Sequence, residues 1–94
     1  MFSTYILQSQ KSTRYYIGHT ENITKRLLRH NNGLVSATRN KGPWVLVFFE
    51  NFNSRIEANQ REFEIKSMKS KIYIEKLIDN GGKLSMSNKK RDSP

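Results

Sequence analysis

The sequence predicts a small, single α/β domain, in which a three-stranded, mainly antiparallel sheet is flanked by helices in the order β-β-α-β-α-α. Three observations predict this fold. The chain has 94 residues, which suffices for one hydrophobic core and no second folding unit. Short aromatic and β-branched segments are separated by polar connections, as in strands. Two further segments follow residues that commonly cap helices.

Two apolar segments near the N-terminus predict a β-hairpin. Residues 2–7 and 15–18 are rich in aromatic and aliphatic side chains, and the polar residues 8–13 connect them. Gly18 is predicted to end the second strand. His19, which follows it, is predicted to be a loop residue without a role.

The first helix is predicted to follow the hairpin. Thr20 or Asn22 can serve as its N-cap, and the helix runs to about His30. The Asn-Asn-Gly sequence at residues 31–33 supplies its end. Residues 33–43, with two glycines, a proline and two cations, then form a loop.

The second half of the chain predicts one strand and two helices. Residues 44–50 are apolar almost throughout, as a central strand buried on both faces would be. Ser54 and Glu57 have capping-box spacing, which predicts a helix over residues 55–68. A shorter helix is predicted over residues 71–79.

The C-terminal residues predict the end of the folded domain. The domain is predicted to span residues 1–82, with the glycine pair 81–82 ending the last helix, and residues 83–94 to form a basic, disordered tail. No apolar run approaches the roughly 18 residues of a membrane span. The N-terminus is also too polar for a signal peptide. We therefore expect a cytoplasmic protein that does not bind membranes.

The charge balance indicates the class of partner. The chain has 17 Lys and Arg against 8 Asp and Glu, a formal net charge of +9. This excess favours a polyanion, and nucleic acid in particular, because binding releases counterions. A ribosomal or chromatin protein, or a membrane-surface binder, would have the same composition. The absence of cysteine excludes disulfides, thiolate catalysis and Cys-based zinc sites.

Arg26 and His30 lie four residues apart on the first predicted helix and therefore share a face. One interpretation is a solvated basic face, since Lys25 and Arg29 are close by. The other is a phosphate clamp, in which the arginine is a bidentate donor and the histidine a donor or proton carrier.

Glu62 is an unusual residue on the second predicted helix. It lies on a stripe with Ala58 and Ile65, where an unpaired carboxylate would cost free energy. A salt bridge to Arg55 or Lys66 would account for it. The alternative is a ligand for a hard cation such as Mg²⁺, which keeps several waters and needs only one or two carboxylates.

Five segments in one order resemble a known family. They are, in chain order, residues 3–5 (STY), 16–18 (YIG), 25–33 (KRLLRHNNG), 38–44 (TRNKGPW) and 58–66 (ANQREFEIK). Together they resemble the GIY-YIG nucleases over about residues 2–77. The similarity is greatest to small stand-alone bacterial members, which are similar to the nuclease domain of the excision-repair incision subunit. The first segment departs from the family's pattern, since only its tyrosine is kept.

The resemblance implies roles for individual residues. Those similar to the family's catalytic residues are Tyr5, Tyr16, Arg26 and His30. Glu62 resembles the family's single metal-binding carboxylate, and Glu64, two residues away, is its competitor. The cations expected to contact nucleic acid are Lys25, Arg29, Arg39 and Lys41.

The resemblance also implies an activity, which is metal-dependent endonucleolytic hydrolysis of DNA, in repair or recombination. One Mg²⁺ or Mn²⁺ ion would serve as Lewis acid, and Arg26 would stabilise developing negative charge. Either Tyr5 or His30 would accept the proton from water. The alternative is a non-catalytic nucleic-acid-binding module on the same fold. Selectivity is expected to come from a protein partner or a homodimer, or to be low.

Overall fold

The computed structural model describes residues 1–80, and it confirms the predicted order of elements. The strands and helices are β1 (Phe2–Ser9), β2 (Tyr15–Thr20), α1 (Ile23–Asn31), β3 (Trp44–Phe52), α2 (Arg55–Met68) and α3 (Lys71–Asp79). The predicted domain boundary at residue 82 and the predicted tail 83–94 lie outside the described residues. None of the helices within residues 1–80 has the length and apolar character needed to cross a bilayer.

The sheet has the strand order β2-β1-β3, and both strand pairs are antiparallel. The prediction that residues 44–50 form the central strand is therefore wrong, because β1 is central and β3 lies at an edge. The central position of β1 was not predicted, because polar side chains such as those in β1 are not typical of a central strand. Thr4, which is fully buried, donates from its hydroxyl to the carbonyl of Ala58 at 2.7 Å, and Ser9 donates to the carbonyl of Lys41 at 2.6 Å. These bonds satisfy polar groups that would otherwise be costly to bury.

Local capping signals set the helix boundaries. The Asn22 side chain accepts from the backbone N–H of Lys25, so Asn22 rather than Thr20 is the N-cap of α1. Ser54 likewise accepts from the N–H of Glu57, which confirms Ser54 as the N-cap of α2. As a result, α2 and α3 begin and end where the sequence predicts.

The two faces of the sheet carry different helices. On one face Ile6 and Phe48 pack with Ile65 of α2 and Ile74 of α3. On the other face Tyr5, Leu7 and Trp44 form a second cluster, against which Ile23 and Leu27 of α1 pack. Helices α1 and α2 therefore approach the sheet from opposite sides. Near the end of β2, side chains from both helices line one cleft.

Gly18 does not end β2, contrary to the sequence prediction, because the strand continues to Thr20. Gly18 pairs with Tyr5 of β1, and the Tyr5 ring lies across it. A Cβ atom at Gly18 would lie 2.7 Å from the Tyr5 hydroxyl oxygen and 2.9 Å from its Cζ. The glycine is thus required by the close approach of this ring and not by a turn.

Substitution of Gly18 by alanine is expected to destabilise the fold by about 1–3 kcal/mol, because the added methyl overpacks the contact with Tyr5. Urea denaturation of the variant and the parent measures this loss. A change within about 0.5 kcal/mol, as is usual for surface substitutions, would contradict the close approach.

Candidate active site

Helix α1 supplies two of the predicted site residues. The Asn22 cap fixes its first turn, and Arg26 and His30 follow one turn apart on one side. His30 is buried, with 2% of its surface exposed, whereas Arg26 is half-buried. The pair is therefore not a uniformly solvated face, since His30 enters the protein and Arg26 stays at its surface.

A chain of hydrogen bonds fixes the orientation of His30. The Thr38 hydroxyl lies 3.3 Å from the carbonyl of Val35, to which it donates. It therefore accepts from Nδ1–H of His30 at 2.8 Å, which leaves Nε2 unprotonated. The Tyr5 hydroxyl, 3.0 Å from Nε2, then donates to it. This network assigns both the tautomer of His30 and the direction of the Tyr5 proton.

Burial sets the protonation of both groups. It lowers the pKa of His30 to about 4, and the positive charges of Arg26 and Arg29 contribute further. Burial also raises the pKa of Tyr5 well above its ordinary value; Tyr16 and Glu62 add to this, and Arg26 opposes it. At neutral pH Tyr5 is therefore protonated and His30 is neutral. Arg26 and Glu62 both lie within electrostatic reach of the Tyr5 hydroxyl.

The neutral His30 makes stability depend on pH. An unfolded histidine has a pKa near 6.5, and the folded value is about 4, so the unfolded state binds more protons between these values. The free energy of unfolding should therefore fall as the pH drops from about 6.5 to about 4, by about 3 kcal/mol in all. Urea denaturation across this range measures the effect. Equal loss in His30→Gln would show that other groups cause it.

Tyr16 completes an aromatic wall around His30. The Tyr16 and His30 ring centroids are 4.9 Å apart, those of Tyr16 and Tyr5 are 6.4 Å apart, and those of Tyr16 and Trp44 are also 6.4 Å apart. Tyr16 is half-buried and Tyr5 is only 2% exposed. The structure thus brings the two tyrosines and the histidine together.

Glu62 reaches the site from α2. Its predicted neighbours Ala58 and Ile65 are buried, and 13% of its own side chain is exposed. Oε1 lies 2.5 Å from Nδ1 of His19, and Oε2 accepts from Nζ of Lys66 at 2.5 Å. Burial pushes the pKa of Glu62 upward, but these two hydrogen bonds outweigh it and hold that pKa below its ordinary value.

The contacts of Glu62 test two predictions from the sequence, one about its salt-bridge partner and one about His19. The salt bridge to Lys66 is present, whereas Arg55 instead lies 3.9 Å from Glu21. The prediction that His19 is a loop residue without a role is wrong, because His19 lies in β2 and contacts the Glu62 carboxylate. The sequence did not indicate this contact, because His19 follows Gly18, where β2 was predicted to end.

Glu64, the other candidate metal ligand, forms an ion pair with Arg61. Its carboxylate accepts from Nη1 of Arg61 at 2.7 Å, and 61% of the side chain is exposed. The same guanidinium donates from Nε to Glu50 at 2.7 Å. Glu64 is therefore part of a surface ion-pair network on α2 and β3.

Glu62 is the candidate metal ligand of this site, and within the described residues no cluster of ligands surrounds it. Residues 1–80 contain no group of three or more His, Cys, Asp or Glu side chains placed to share an ion. The donor set at Glu62 still fits Mg²⁺, which retains waters and takes one or two carboxylates. Lys66, whose side chain is half exposed, contacts one oxygen of Glu62 and can leave it without disturbing the core. Glu62 would then hold the ion.

The predicted nucleic-acid contacts divide into two sets. Lys25 and Arg29 line a cleft of about 380 Å³ beside Arg26, together with Arg55, which the sequence did not indicate. Arg39 and Lys41 do not line this cleft. They lie in the loop before β3, where they donate to the carbonyls of Gly33 and Ala37, respectively.

Comparisons with known proteins identify the family of this domain. A family model of the GIY-YIG catalytic domain matches residues 1–77, which include every residue of the site described above. A UPF0213 protein of Clostridium perfringens is 45% identical over 65 residues, 68% of this chain and 69% of the relative. One of Staphylococcus saprophyticus is 38% identical over 72 residues, 76% of this chain and 87% of the relative.

A solved structure shows the same fold. The solution NMR structure of a UPF0213 protein from Bacillus halodurans superimposes with a TM-score of 0.57 and 29% sequence identity. The match covers 100% of both chains.

Proposed function

The chain belongs to the GIY-YIG family, and from this we propose that it is a metal-dependent endonuclease that hydrolyses phosphodiester bonds in DNA, in repair or recombination. The observation that carries the proposal is the group of polar side chains around the buried Tyr5 hydroxyl. His30 bonds to it, and Arg26 and Glu62 lie within its electrostatic reach. Ionisable side chains whose pKa values are shifted by burial and by each other's charge are typical of functional sites.

Arg26 is proposed to stabilise the negative charge that develops on the phosphate. Arg26 is half-buried and lines the cleft, where its guanidinium can reach the phosphate of a bound DNA strand. Lys25, Arg29 and Arg55 line the same cleft and would hold the flanking phosphates. Binding is thus shared among several cations, whereas the charge of the transition state falls mainly to Arg26.

Glu62 is proposed to hold one Mg²⁺ or Mn²⁺ ion. When bound, the ion supplies a Lewis acid that polarises the phosphoryl oxygen. The protein's part is to keep the carboxylate ionised and oriented. The hydrogen bond from His19 does both, because it lowers the pKa of Glu62 and fixes Oε1.

The Tyr5–His30 pair is proposed to accept the proton of the attacking water. Burial keeps Tyr5 protonated, so a preformed tyrosinate is not available. The Tyr5 oxygen can instead take a proton as its own passes to Nε2 of the neutral His30. The bond from His30 to Thr38 holds the imidazole in the tautomer that this transfer needs.

One observation favours the alternative of a binding module without catalysis. The Lys66 ammonium contacts the carboxylate that the nuclease would use for its metal. A permanent ion pair there would leave a basic protein that binds nucleic acid and does not cut it.

The test of the proposed function is cleavage of a panel of labelled DNAs, comprising duplex, single-stranded, flap and branched molecules, with Mg²⁺ or with EDTA. The nuclease predicts products on at least one DNA, with Mg²⁺ only. Binding of these DNAs without any cleavage would instead establish the alternative.

Binding should depend strongly on salt, because several cations line the cleft beside Arg26. On duplex DNA, log Kd should rise with log salt with a slope of about 0.9 per phosphate neutralised. A titration in EDTA between low and physiological salt measures the slope. A flat response would contradict the view that these charges drive binding.

A further inference from the structure

A second cleft lies apart from the active site, between the hairpin turn and the junction of α2 and α3. Its volume is about 390 Å³, within the range of small-molecule sites. The floor is apolar and consists of Tyr15 and Ile17 of β2, Ile65 of α2 and Ile74 of α3. The cleft thus opens on the face of the sheet that α1 does not cover.

The rim of this cleft is cationic. Arg14, Lys66, Lys69 and Lys71 line it, all four are exposed, and no carboxylate is among the described residues that form it. The N-terminus of α3 at Lys71 adds the positive end of a helix dipole. An apolar floor inside a ring of positive charge suits a ligand with a flat apolar part and negative charges at its margin.

The floor offers an uncharged aromatic ring. Tyr15 is half-buried; its burial, and then the nearby Glu75 and Asp79, raise its pKa, so the hydroxyl is not ionised at neutral pH. The ring therefore does not repel an anionic ligand. A nucleobase can stack on such a surface whatever its sequence, since every base has a π-face.

The second cleft is continuous with the active site through one residue. Lys66 lines it and also bonds to Glu62. A nucleic-acid strand bound at Glu62 would therefore lie next to the rim of the second cleft.

We infer that this second cleft binds an unpaired nucleobase of the substrate strand, with the flanking phosphates on Arg14, Lys69 and Lys71. The inference rests on the proposed function insofar as the ligand is nucleic acid, and it specifies the substrate class. A base within a duplex is stacked and cannot enter the cleft, so the preferred substrates carry a single-stranded segment beside a duplex.

The inference is tested by binding in EDTA, which separates it from cleavage. The probes are a blunt duplex and the same duplex with a six-nucleotide overhang at its 3′ or its 5′ end. The parent should bind one overhang form at least about tenfold more tightly than the blunt form. In Arg14→Gln/Lys71→Gln the ratio should fall below about twofold.

Matched variants separate the cleft from general charge. Lys11→Gln/Lys76→Gln removes two cations from the same turn and the same helix without touching the cleft, so it should keep the parent's ratio. Tyr15→Phe, which keeps the ring, should also keep it, whereas Tyr15→Leu should lower it.

Equal affinity of the parent for blunt and overhang DNA would overturn the inference. So would a loss of the ratio in Lys11→Gln/Lys76→Gln equal to that in Arg14→Gln/Lys71→Gln. Thermal melts of each variant confirm that it is folded. A protein that cuts DNA but shows no overhang preference would refute the second cleft alone, and one that shows the preference but never cuts would refute the nuclease alone.

Discussion

Replacing Glu62 with Gln should reduce DNA cleavage by at least about a hundredfold while DNA binding is kept. The amide has nearly the shape of the carboxylate but lacks the charge that Mg²⁺ requires, and a Lewis acid at a phosphoryl oxygen contributes several kcal/mol to catalysis. Binding should be unchanged or slightly tighter, since a negative charge near the phosphate is removed. Cleavage rates and binding curves for the same preparation measure both effects.

The ion pair at Glu62 requires two controls. Glu62 bonds to Lys66 and His19, so Glu62→Gln should also lose stability, by about 1–3 kcal/mol. Lys66→Gln breaks the same ion pair from the other side, leaves the carboxylate in place, and should still cut. Glu64→Gln, which alters only the surface pair with Arg61, should cut at the parent rate. Cleavage by Glu62→Gln at the parent rate would remove the metal site from this account.

Replacing Arg26 with Ala should lower turnover by about a hundred- to a thousandfold, with a much smaller change in affinity. The guanidinium is proposed to act on charge that builds in the transition state, and a lost donor of this kind has about this effect. Lys25, Arg29 and Arg55 remain in the cleft and still hold the DNA. Single-turnover rates and Kd values in EDTA separate the two effects.

Arg29→Ala is the matched control for Arg26→Ala. Arg29 lines the same cleft and is exposed, so its loss should mainly weaken binding. If the two variants lost the same amount of turnover, the phosphate clamp would be assigned to the wrong arginine.

The helices of this protein could be predicted from sequence more accurately than the sheet. The boundaries of α2 and α3 follow from local signals such as the Ser54 cap, which acts on a residue only three positions away. The central position of β1 could not be read in the same way. Its buried Thr4 and Ser9 look like edge-strand residues until their acceptors are known, and those acceptors lie at Ala58 and Lys41.

In the candidate site, too, the local features could be predicted from the sequence and the long-range contacts could not. The spacing of Arg26 and His30 predicts that they share one face of a helix. The apolar neighbours of Glu62 indicate that its carboxylate is unusual. The partners that orient these side chains could not be predicted. His19 contacts Glu62 from 43 residues away in the sequence, and Thr38, which contacts His30, lies in the segment between α1 and β3. These contacts depend on the tertiary packing of the chain, which the periodicity of the sequence does not predict.

The most direct test of the central claim is the single-turnover rate of DNA cleavage by the parent protein as Mg²⁺ is titrated upward from EDTA. We expect no product in EDTA and a rate that rises with Mg²⁺ and saturates with the dependence of a single bound ion. Cleavage that is equally fast in EDTA, or no cleavage of any DNA structure at saturating Mg²⁺, would contradict it.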